Sequence, residues 1–136
     1  MIEQIGIIGL GKMGLPMTRH MLKKGLQVAG YDLDAGRVAE AEKLGAKACT
    51  SPREVAEQSD LIIIIVGFDS EVNEVLNADN GVFAGARDDA VIAVASTVYQ
   101  ETMLEIGEAA GTLGKGLRVL DMPLCRAERA AVDGTL

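Results

Sequence analysis

The 136-residue sequence has no tryptophan and few other aromatic residues, 3% in all, although 49% of its residues are hydrophobic. A core must therefore be built from Val, Ile, Leu, Ala and Met, which is typical of a parallel sheet covered by helices on both faces. A domain of this length buries roughly 68–70% of its unfolded surface, so a substantial core is possible. Long apolar runs are also missing, since the longest, residues 61–66, is far below the roughly 20 residues of a membrane-spanning helix.

Residues that bind metals or form disulfides are scarce as well. The two cysteines, Cys49 and Cys125, have no CxxC spacing, and His20 is the only histidine, which argues against a disulfide and against a structural zinc site. The net charge of −7 disfavours nucleic acid and anionic membranes as partners. The N-terminus lacks the basic region of a signal peptide. We therefore expect a cytoplasmic protein with no metal, no nucleic-acid partner and no membrane partner.

Short apolar segments alternate with segments of helical spacing along the chain. Ser51 opens one helix with the S-x-x-E form of a capping box, and Pro52 occupies its first position. Right-handed crossovers then give an α/β fold with one doubly wound parallel sheet of the Rossmann type, in strand order 3-2-1-4-5-6. The predicted strands are residues 5–10, 26–32, 46–49, 61–66, 90–95 and 117–120, and the predicted helices are residues 13–24, 35–44, 52–58, 71–76 and 102–113.

A G-x-G-x-x-G run follows the first predicted strand and opens the first predicted helix. Gly9 allows the tight turn, Gly11 lets backbone N–H groups approach a pyrophosphate, and Gly14 lets the helix pack closely on the strand. The helix N-terminus offers unpaired N–H groups and a partial positive charge to the phosphates. The alternative is a glycine-rich turn without a ligand. We predict that a dinucleotide binds to Gly9, Leu10, Gly11, Lys12, Met13 and Gly14.

An acidic residue, Asp32, ends the second predicted strand, 18 residues after Gly14. Its carboxylate can accept hydrogen bonds from the adenosine ribose hydroxyls, whereas the 2′-phosphate of NADP would meet a like charge. Asp34 adds a second negative charge, and Arg37 is the one cation nearby in the sequence. NAD is therefore the expected cofactor. A role for Asp32 as a turn residue alone is plausible only if the glycines are also discounted.

The sequence resembles the β-hydroxyacid dehydrogenases, the family that includes 3-hydroxyisobutyrate, tartronate-semialdehyde and 6-phosphogluconate dehydrogenases. The opening G-L-G-x-M-G-x-P-M form is more specific than a general dinucleotide motif, and the resemblance extends to Asn80-Gly81-Val82 and Asp121-Met122-Pro123. It implies hydride transfer between NAD(H) and a small β-hydroxyacid or related alcohol. It also implies that the ribose and nicotinamide lie along Val66, Gly67, Ser96 and Thr97. For Thr97, N-capping of the following helix is an equally good interpretation.

One departure from the family pattern lies after the last predicted strand. Relatives carry Ser-Gly-Gly in a turn that holds the substrate carboxylate, whereas this chain has Cys125, Arg126 and Ala127. Relatives that reduce sulfolactaldehyde also have an arginine in this turn, and a guanidinium can bind an oxyanion through two hydrogen bonds. The resemblance therefore implies a small, anionic substrate. The alternative is that Arg126 and Arg129 are solvated helix charges. Cys125 as a nucleophile is disfavoured, since no histidine follows His20.

The second departure is length. In the family the catalytic lysine lies on a helix that leads to an all-helical second domain, and we expect that helix to lie beyond residue 136. We therefore assign no catalytic residue here, and divide the chain into a dinucleotide-binding domain, residues 1–121, and an incomplete segment, residues 122–136. Residues 125–136 should be loosely ordered or packed against a neighbouring chain, and the full-length enzyme should be a homo-oligomer. The alternative function is a non-catalytic NAD-binding module or sensor. A short-chain dehydrogenase is disfavoured because no Y-x-x-x-K is present.

Overall fold

A computed structural model describes residues 1–125 and 127–136. All of its strands belong to one six-stranded parallel sheet. The strands are β1 (Gln4–Ile8), β2 (Gln27–Tyr31), β3 (Lys47–Ala48), β4 (Leu61–Ile64), β5 (Val91–Val94) and β6 (Arg118–Asp121). The helices are α1 (Gly14–Lys23), α2 (Ala35–Leu44), α3 (Pro52–Glu57), α4 (Asp69–Asn77), α5 (Val82–Gly85), α6 (Gln100–Thr112) and α7 (Ala127–Asp133).

The strand order is β3-β2-β1-β4-β5-β6, so the predicted doubly wound Rossmann-type fold is confirmed. The order reverses between β1 and β4, where Ile5 pairs with Leu61 and Ile8 with Ile64. Ligands of such sheets bind beyond the carboxyl ends of the strands at this reversal point. Helices α5 and α7 were not predicted. The first is only four residues long, too short to show a helical period in the sequence.

The apolar strands divide their side chains between the two faces of the sheet, because successive residues point in opposite directions. On one face, Ile62 and Ile64 pack with residues of α3, α4 and α6. On the other, Ile7 and Ile63 pack with Ala41 of α2 and with methionines of α1. Each of these four isoleucines is no more than 3% exposed. Burial of both faces explains why β4 is apolar at every position.

Side chains at the starts of α2 and α3 accept hydrogen bonds from the first free N–H groups of each helix. Asp34 caps α2 by accepting from the Gly36 N–H at 2.8 Å, and Ser51 caps α3 by accepting from the Glu54 N–H at 3.1 Å. The predicted capping box is only half formed. The Glu54 carboxylate accepts from the backbone N–H and hydroxyl of Thr50, one residue before the cap, rather than from the Ser51 N–H.

The segment after residue 126 is not loosely ordered, so that part of the expectation was wrong, whereas packing against a neighbouring chain stays a prediction. Its helix α7 packs on α1 of the same chain, and Ala130 and Ala131 are buried because their small side chains let the two helices approach closely. His20 Nε2 lies 2.8 Å from the Val132 carbonyl, which Arg19 also contacts at 3.2 Å. His20 therefore has a structural role. None of the helices in the described ranges is long and apolar enough to cross a membrane.

Candidate functional site

A cleft of about 780 Å³ opens at the carboxyl edge of the sheet, where the strand order reverses. The cleft brings together residues that are far apart in the sequence, from the turn after β1, the end of β2 and the end of β4. Eight of the eleven residues that we predicted to lie along the cofactor line it: Gly9, Gly11, Lys12, Met13, Gly14, Asp32, Val66 and Gly67. Leu10, Ser96 and Thr97 are not among the lining residues.

The three glycines of the turn are needed for different reasons. Gly9 has a φ of +103°, and a Cβ there would collide with the Ile65 carbonyl. A Cβ on Gly14 would collide with the Gly9 carbonyl. These two glycines are therefore required by the fold itself. Gly11 differs, because a Cβ there would meet only the Arg37 guanidinium, at an ordinary contact distance of 3.5 Å. At Gly11 it is the cleft, and not the protein interior, that a side chain would fill.

Unpaired donors face the cleft at the start of α1. Within the described part of the chain, the backbone N–H groups of Gly11, Lys12 and Met13 have no hydrogen-bond acceptor. They precede a ten-residue helix whose first turn carries no acidic side chain. Because the helix dipole adds a partial positive charge there, this end of the cleft has the chemistry of an anion-binding site.

Leu10 contributes to the turn from inside the protein. Its side chain is 1% exposed and lies against Gly30, where an added Cβ would come within 3.2 Å of it. Its backbone N–H donates to Asp32 Oδ2 at 2.7 Å. Leu10 therefore fixes the glycine turn to the end of β2, while its side chain stays out of the cleft.

Asp32 uses both carboxylate oxygens within the protein. Oδ2 accepts from Leu10, and Oδ1 accepts from the Asp34 N–H at 2.8 Å. The Arg37 guanidinium lies 3.8 Å from Asp32 Oδ2 and 3.9 Å from Asp34 Oδ2. Asp32 is thus a turn residue and also lines the cleft, so the two interpretations of it are compatible. A carboxylate has about four acceptor positions, so both oxygens keep a lone pair for a ligand hydroxyl.

At the end of β4, side chains already occupy two backbone donors that line the cleft. The Val66 N–H donates to Ser96 Oγ at 2.8 Å, and the Gly67 N–H donates to Glu71 Oε2 at 2.9 Å. Thr97 is exposed, and the helix after it begins at Gln100 with Tyr99 as its N-cap residue. The interpretation of Thr97 as the N-cap was therefore wrong.

Cys125 and Ala127, the two described residues of the predicted substrate turn, are not among the residues that line the cleft. Cys125 is exposed, Ala127 has a φ of +55°, and Arg126 lies outside the described residues. Arg129 forms an ion pair with Asp133 at 2.8 Å, and its side chain is 87% exposed. For Arg129, the interpretation as a solvated helix charge fits this position.

Sequence reasoning missed the parts of the cleft contributed by loops and by α4. The end of β3 was the signal for Thr50, Ser51 and Pro52, since all parallel strands of one sheet end at the same edge. No hydrophobic periodicity in the sequence identifies the remaining lining residues, because only the tertiary fold brings α4 and the strand ends together at one cleft. The lining residues that were missed are Ile8, Tyr31, Leu33, Asp34, Arg37, Thr50, Ser51, Pro52, Ile65, Glu71, Glu74, Val75, Ala78 and Asn80.

Cys49 is not a reactive group of this cleft. Cys49 is buried, and burial, followed by the negative charge of Glu54, raises the pKa of its thiol to about 11. A thiol with such a pKa is protonated at neutral pH and is a poor nucleophile.

Across residues 1–125 and 127–136, no group of His, Cys, Asp and Glu side chains is arranged to hold a metal ion.

Comparison with known proteins agrees with this geometry. The family model described as the NAD binding domain of 6-phosphogluconate dehydrogenase matches residues 4–136. Over 133 residues the chain is 35% identical to 2-(hydroxymethyl)glutarate dehydrogenase of Eubacterium barkeri, a match that covers 98% of this chain and 44% of that protein. It is 32% identical over 132 residues to 3-sulfolactaldehyde reductase of Escherichia coli (strain K12), covering 97% and 44% of the two chains.

A solved structure gives the same result in three dimensions. The crystal structure of 3-hydroxyisobutyrate dehydrogenase from Salmonella typhimurium superposes with a TM-score of 0.88 at 33% identity. That match covers 96% of this chain and 45% of the other. The chain thus spans less than half the length of the relatives that it matches. It belongs to the β-hydroxyacid dehydrogenase family, in which it corresponds to the NAD-binding domain.

Proposed function

We propose that the cleft binds NAD(H) with the pyrophosphate over Gly11, the adenosine ribose at Asp32 and the nicotinamide half toward the ends of β4 and β5. The observation that carries this proposal is the set of unpaired N–H groups from Gly11 to Met13, at the start of α1 and beside a glycine whose missing side chain leaves the cleft open. When bound, the cofactor supplies the hydride chemistry, and the protein supplies binding and orientation.

The first experiment is a fluorescence titration of the 136-residue chain with NADH and NADPH. We expect saturable binding of NADH, and weaker binding of NADPH because Asp32 repels a 2′-phosphate. If neither NADH nor NADPH bound, the proposal as a whole would be contradicted. Equal affinities, or tighter binding of NADPH, would contradict only the preference for NAD.

For the whole protein, we propose hydride transfer between NAD(H) and a small β-hydroxyacid or related alcohol that carries a strongly anionic group. The names of two relatives support this class, since a glutarate has two carboxylates and a sulfolactaldehyde has a sulfonate. We assign the substrate oxyanion to the Cys125–Ala127 turn, with Arg126 as the positive group. In the full-length enzyme, Arg126→Ala should raise KM for an anionic substrate much more than for a neutral one. Unchanged kinetics would reduce Arg126 to a surface charge.

Turnover separates this proposal from that of a non-catalytic NAD-binding module. We expect the 136-residue chain to bind NADH but to catalyse no oxidation of a β-hydroxyacid by NAD⁺. We place the group that transfers the proton outside this chain, and its loss alone costs about 10²–10⁴-fold in rate. Robust turnover by the purified 136-residue chain would contradict our expectation that the catalytic lysine lies beyond residue 136. If the full-length protein bound NAD(H) but reduced no aldehyde acid or keto acid, the result would favour a non-catalytic NAD-binding module.

A further inference from the structure

The loops that follow β4 and β5 are tied together by side chains. Asp69, the first residue of α4, accepts hydrogen bonds through Oδ2 from the Tyr99 N–H at 3.0 Å and from Thr102 Oγ1 at 2.6 Å. Ser96 forms a second tie in the opposite direction, because its Oγ accepts from the Val66 N–H at 2.8 Å. Two contacts formed in opposite directions fix the separation of the two loops at the carboxyl edge of the sheet.

Asp69 binds the start of α6 from outside that helix, through the N–H of the N-cap residue Tyr99 and the hydroxyl of Thr102. The N-cap residue of α6 is Tyr99, whose side chain accepts no capping hydrogen bond. The carboxylate that accepts from this helix start therefore comes from a different helix, 33 residues earlier than Thr102 in the sequence. A carboxylate at a helix N-terminus is favoured by the helix dipole, and its hydrogen bonds are charge-assisted.

The tie lies next to residues that line the cleft. Val66 and Gly67 end the β4 side of the cleft, and Asp69 follows two residues later. Val66 and Val98 pack against the core, and the Ala95 and Ser96 N–H groups donate to the Ile64 carbonyl at 2.8 and 3.2 Å, so the sheet itself joins the two strand ends. Beyond the strand ends, Phe68 and Tyr99 are 70% and 75% exposed. There the hydrogen bonds of Asp69 are the side-chain contacts that join the two loops.

We propose that Asp69 is a positioning residue for the nicotinamide half of the cofactor, because it sets the spacing between the β4 and β5 loops. This inference rests on the proposed function, which places that half of the dinucleotide at the ends of these strands. Asp69 itself does not line the cleft, so it acts through the backbone of Val66, Gly67 and Tyr99. The hydrogen bonds from Thr102 and Tyr99 also lower the pKa of the Asp69 carboxyl, because they stabilise its ionised form.

The experiment compares NADH with ADP-ribose, which carries the adenosine, pyrophosphate and second ribose but no nicotinamide. We expect Asp69→Ala to weaken NADH binding by about tenfold, the equivalent of one charge-assisted hydrogen bond. The affinity for ADP-ribose should change by less than about twofold, since the glycine turn and Asp32 are untouched. Asp69→Asn keeps an acceptor oxygen and should recover most of the loss, and Thr102→Val should reproduce part of it.

Asp60→Asn is the matched control. Asp60 also accepts two backbone N–H groups, those of Glu3 and Gln4, but at the opposite edge of the sheet. It should lower stability without changing the ratio of the two affinities. If Asp69→Ala and Thr102→Val weakened the binding of NADH and of ADP-ribose by the same factor, or left the ratio of the two affinities unchanged, the inference would be overturned and the proposed function would stay intact. Equal affinity of the wild type for both ligands would also overturn it. Failure of the wild type to bind either ligand would overturn both.

Discussion

The carboxylate of Asp32 and the backbone N–H of Leu10 form a 2.7 Å hydrogen bond that ties the end of β2 to the glycine turn after β1. The residue expected to bind ribose therefore also holds the loop expected to bind pyrophosphate. Removal of Asp32 must act on both ends of the adenosine subsite, because the same carboxylate serves the ligand and the turn. Substitutions at this position have to be interpreted with that coupling in mind.

We predict that Asp32→Ala narrows the gap between NADH and NADPH affinity, mainly by weakening NADH. The ribose loses its acceptor, the turn loses the Leu10 contact, and Arg37 loses one of its two carboxylate neighbours. Fluorescence titration with both nucleotides measures the ratio. Asp60→Ala is the control, because Asp60 also accepts two backbone N–H groups but lies at the opposite edge of the sheet and does not line the cleft. If the ratio of NADH to NADPH affinity were the same as in the wild type, Asp32 would not determine the preference between the two cofactors.

Gly11→Val and Gly14→Ala should have opposite phenotypes. Valine at position 11 faces the cleft, so we expect a folded protein that has lost cofactor binding. Alanine at position 14 collides with the Gly9 carbonyl, so we expect loss of stability first. Urea denaturation and NADH titration of both variants separate the two effects. Cofactor binding that survives Gly11→Val would place the pyrophosphate elsewhere.

Ala127→Gly should stabilise the chain by about 0.5–1 kcal/mol. A left-handed φ of +55° costs alanine roughly 1–2 kcal/mol, and the larger entropy that glycine loses on folding cancels only part of the gain from relieving this strain. The control is Ala130→Gly, in the buried body of α7, which should destabilise by about 1 kcal/mol. Both values come from urea unfolding of the purified variants. A destabilised Ala127→Gly variant would show that the strain is relieved in solution.

Stability should fall in acid, with Asp60 among the causes. Hydrogen bonds from the Gln4 and Glu3 N–H groups hold the pKa of the Asp60 carboxyl below its ordinary value of 3.8. A pKa that is lower in the folded state gives stability that is present above 3.8 and is lost as the pH falls through the folded value. Asp60→Asn should therefore be less stable than the wild type at pH 6, by up to about 1 kcal/mol, with the difference fading as the pH falls below 3.8 and through the lowered pKa. A difference that persists unchanged at low pH would contradict this assignment.

Local sequence signals determined the elements and the glycine turn. The six strands and the helix from Ala35 to Leu44 were predictable because apolar runs, Gly45 in a left-handed cap and the start at Asp34 are encoded within a few residues. The roles of Gly9, Gly11 and Gly14 follow from the steric demands of a strand, a tight turn and a helix in succession. Strand order followed as well, since right-handed crossovers leave few alternatives.

Tertiary structure decided which groups at the carboxyl edge remain available to a ligand. The sequence places Val66, Gly67 and Thr97 at strand ends, but it does not show that Ser96 and Glu71 already occupy the first two N–H groups. Nor does it show that α6 begins after Tyr99 and that Asp69 accepts hydrogen bonds from Tyr99 and Thr102 at this helix start. The α7 helix packs on α1 through two alanines that have no distinctive pattern. The Gly67–Glu71 contact is local, four positions apart, but the others join residues 30 to 113 positions apart. Only the folded chain determines which partner each of those donors finds, because many acceptors of equal chemistry compete for it.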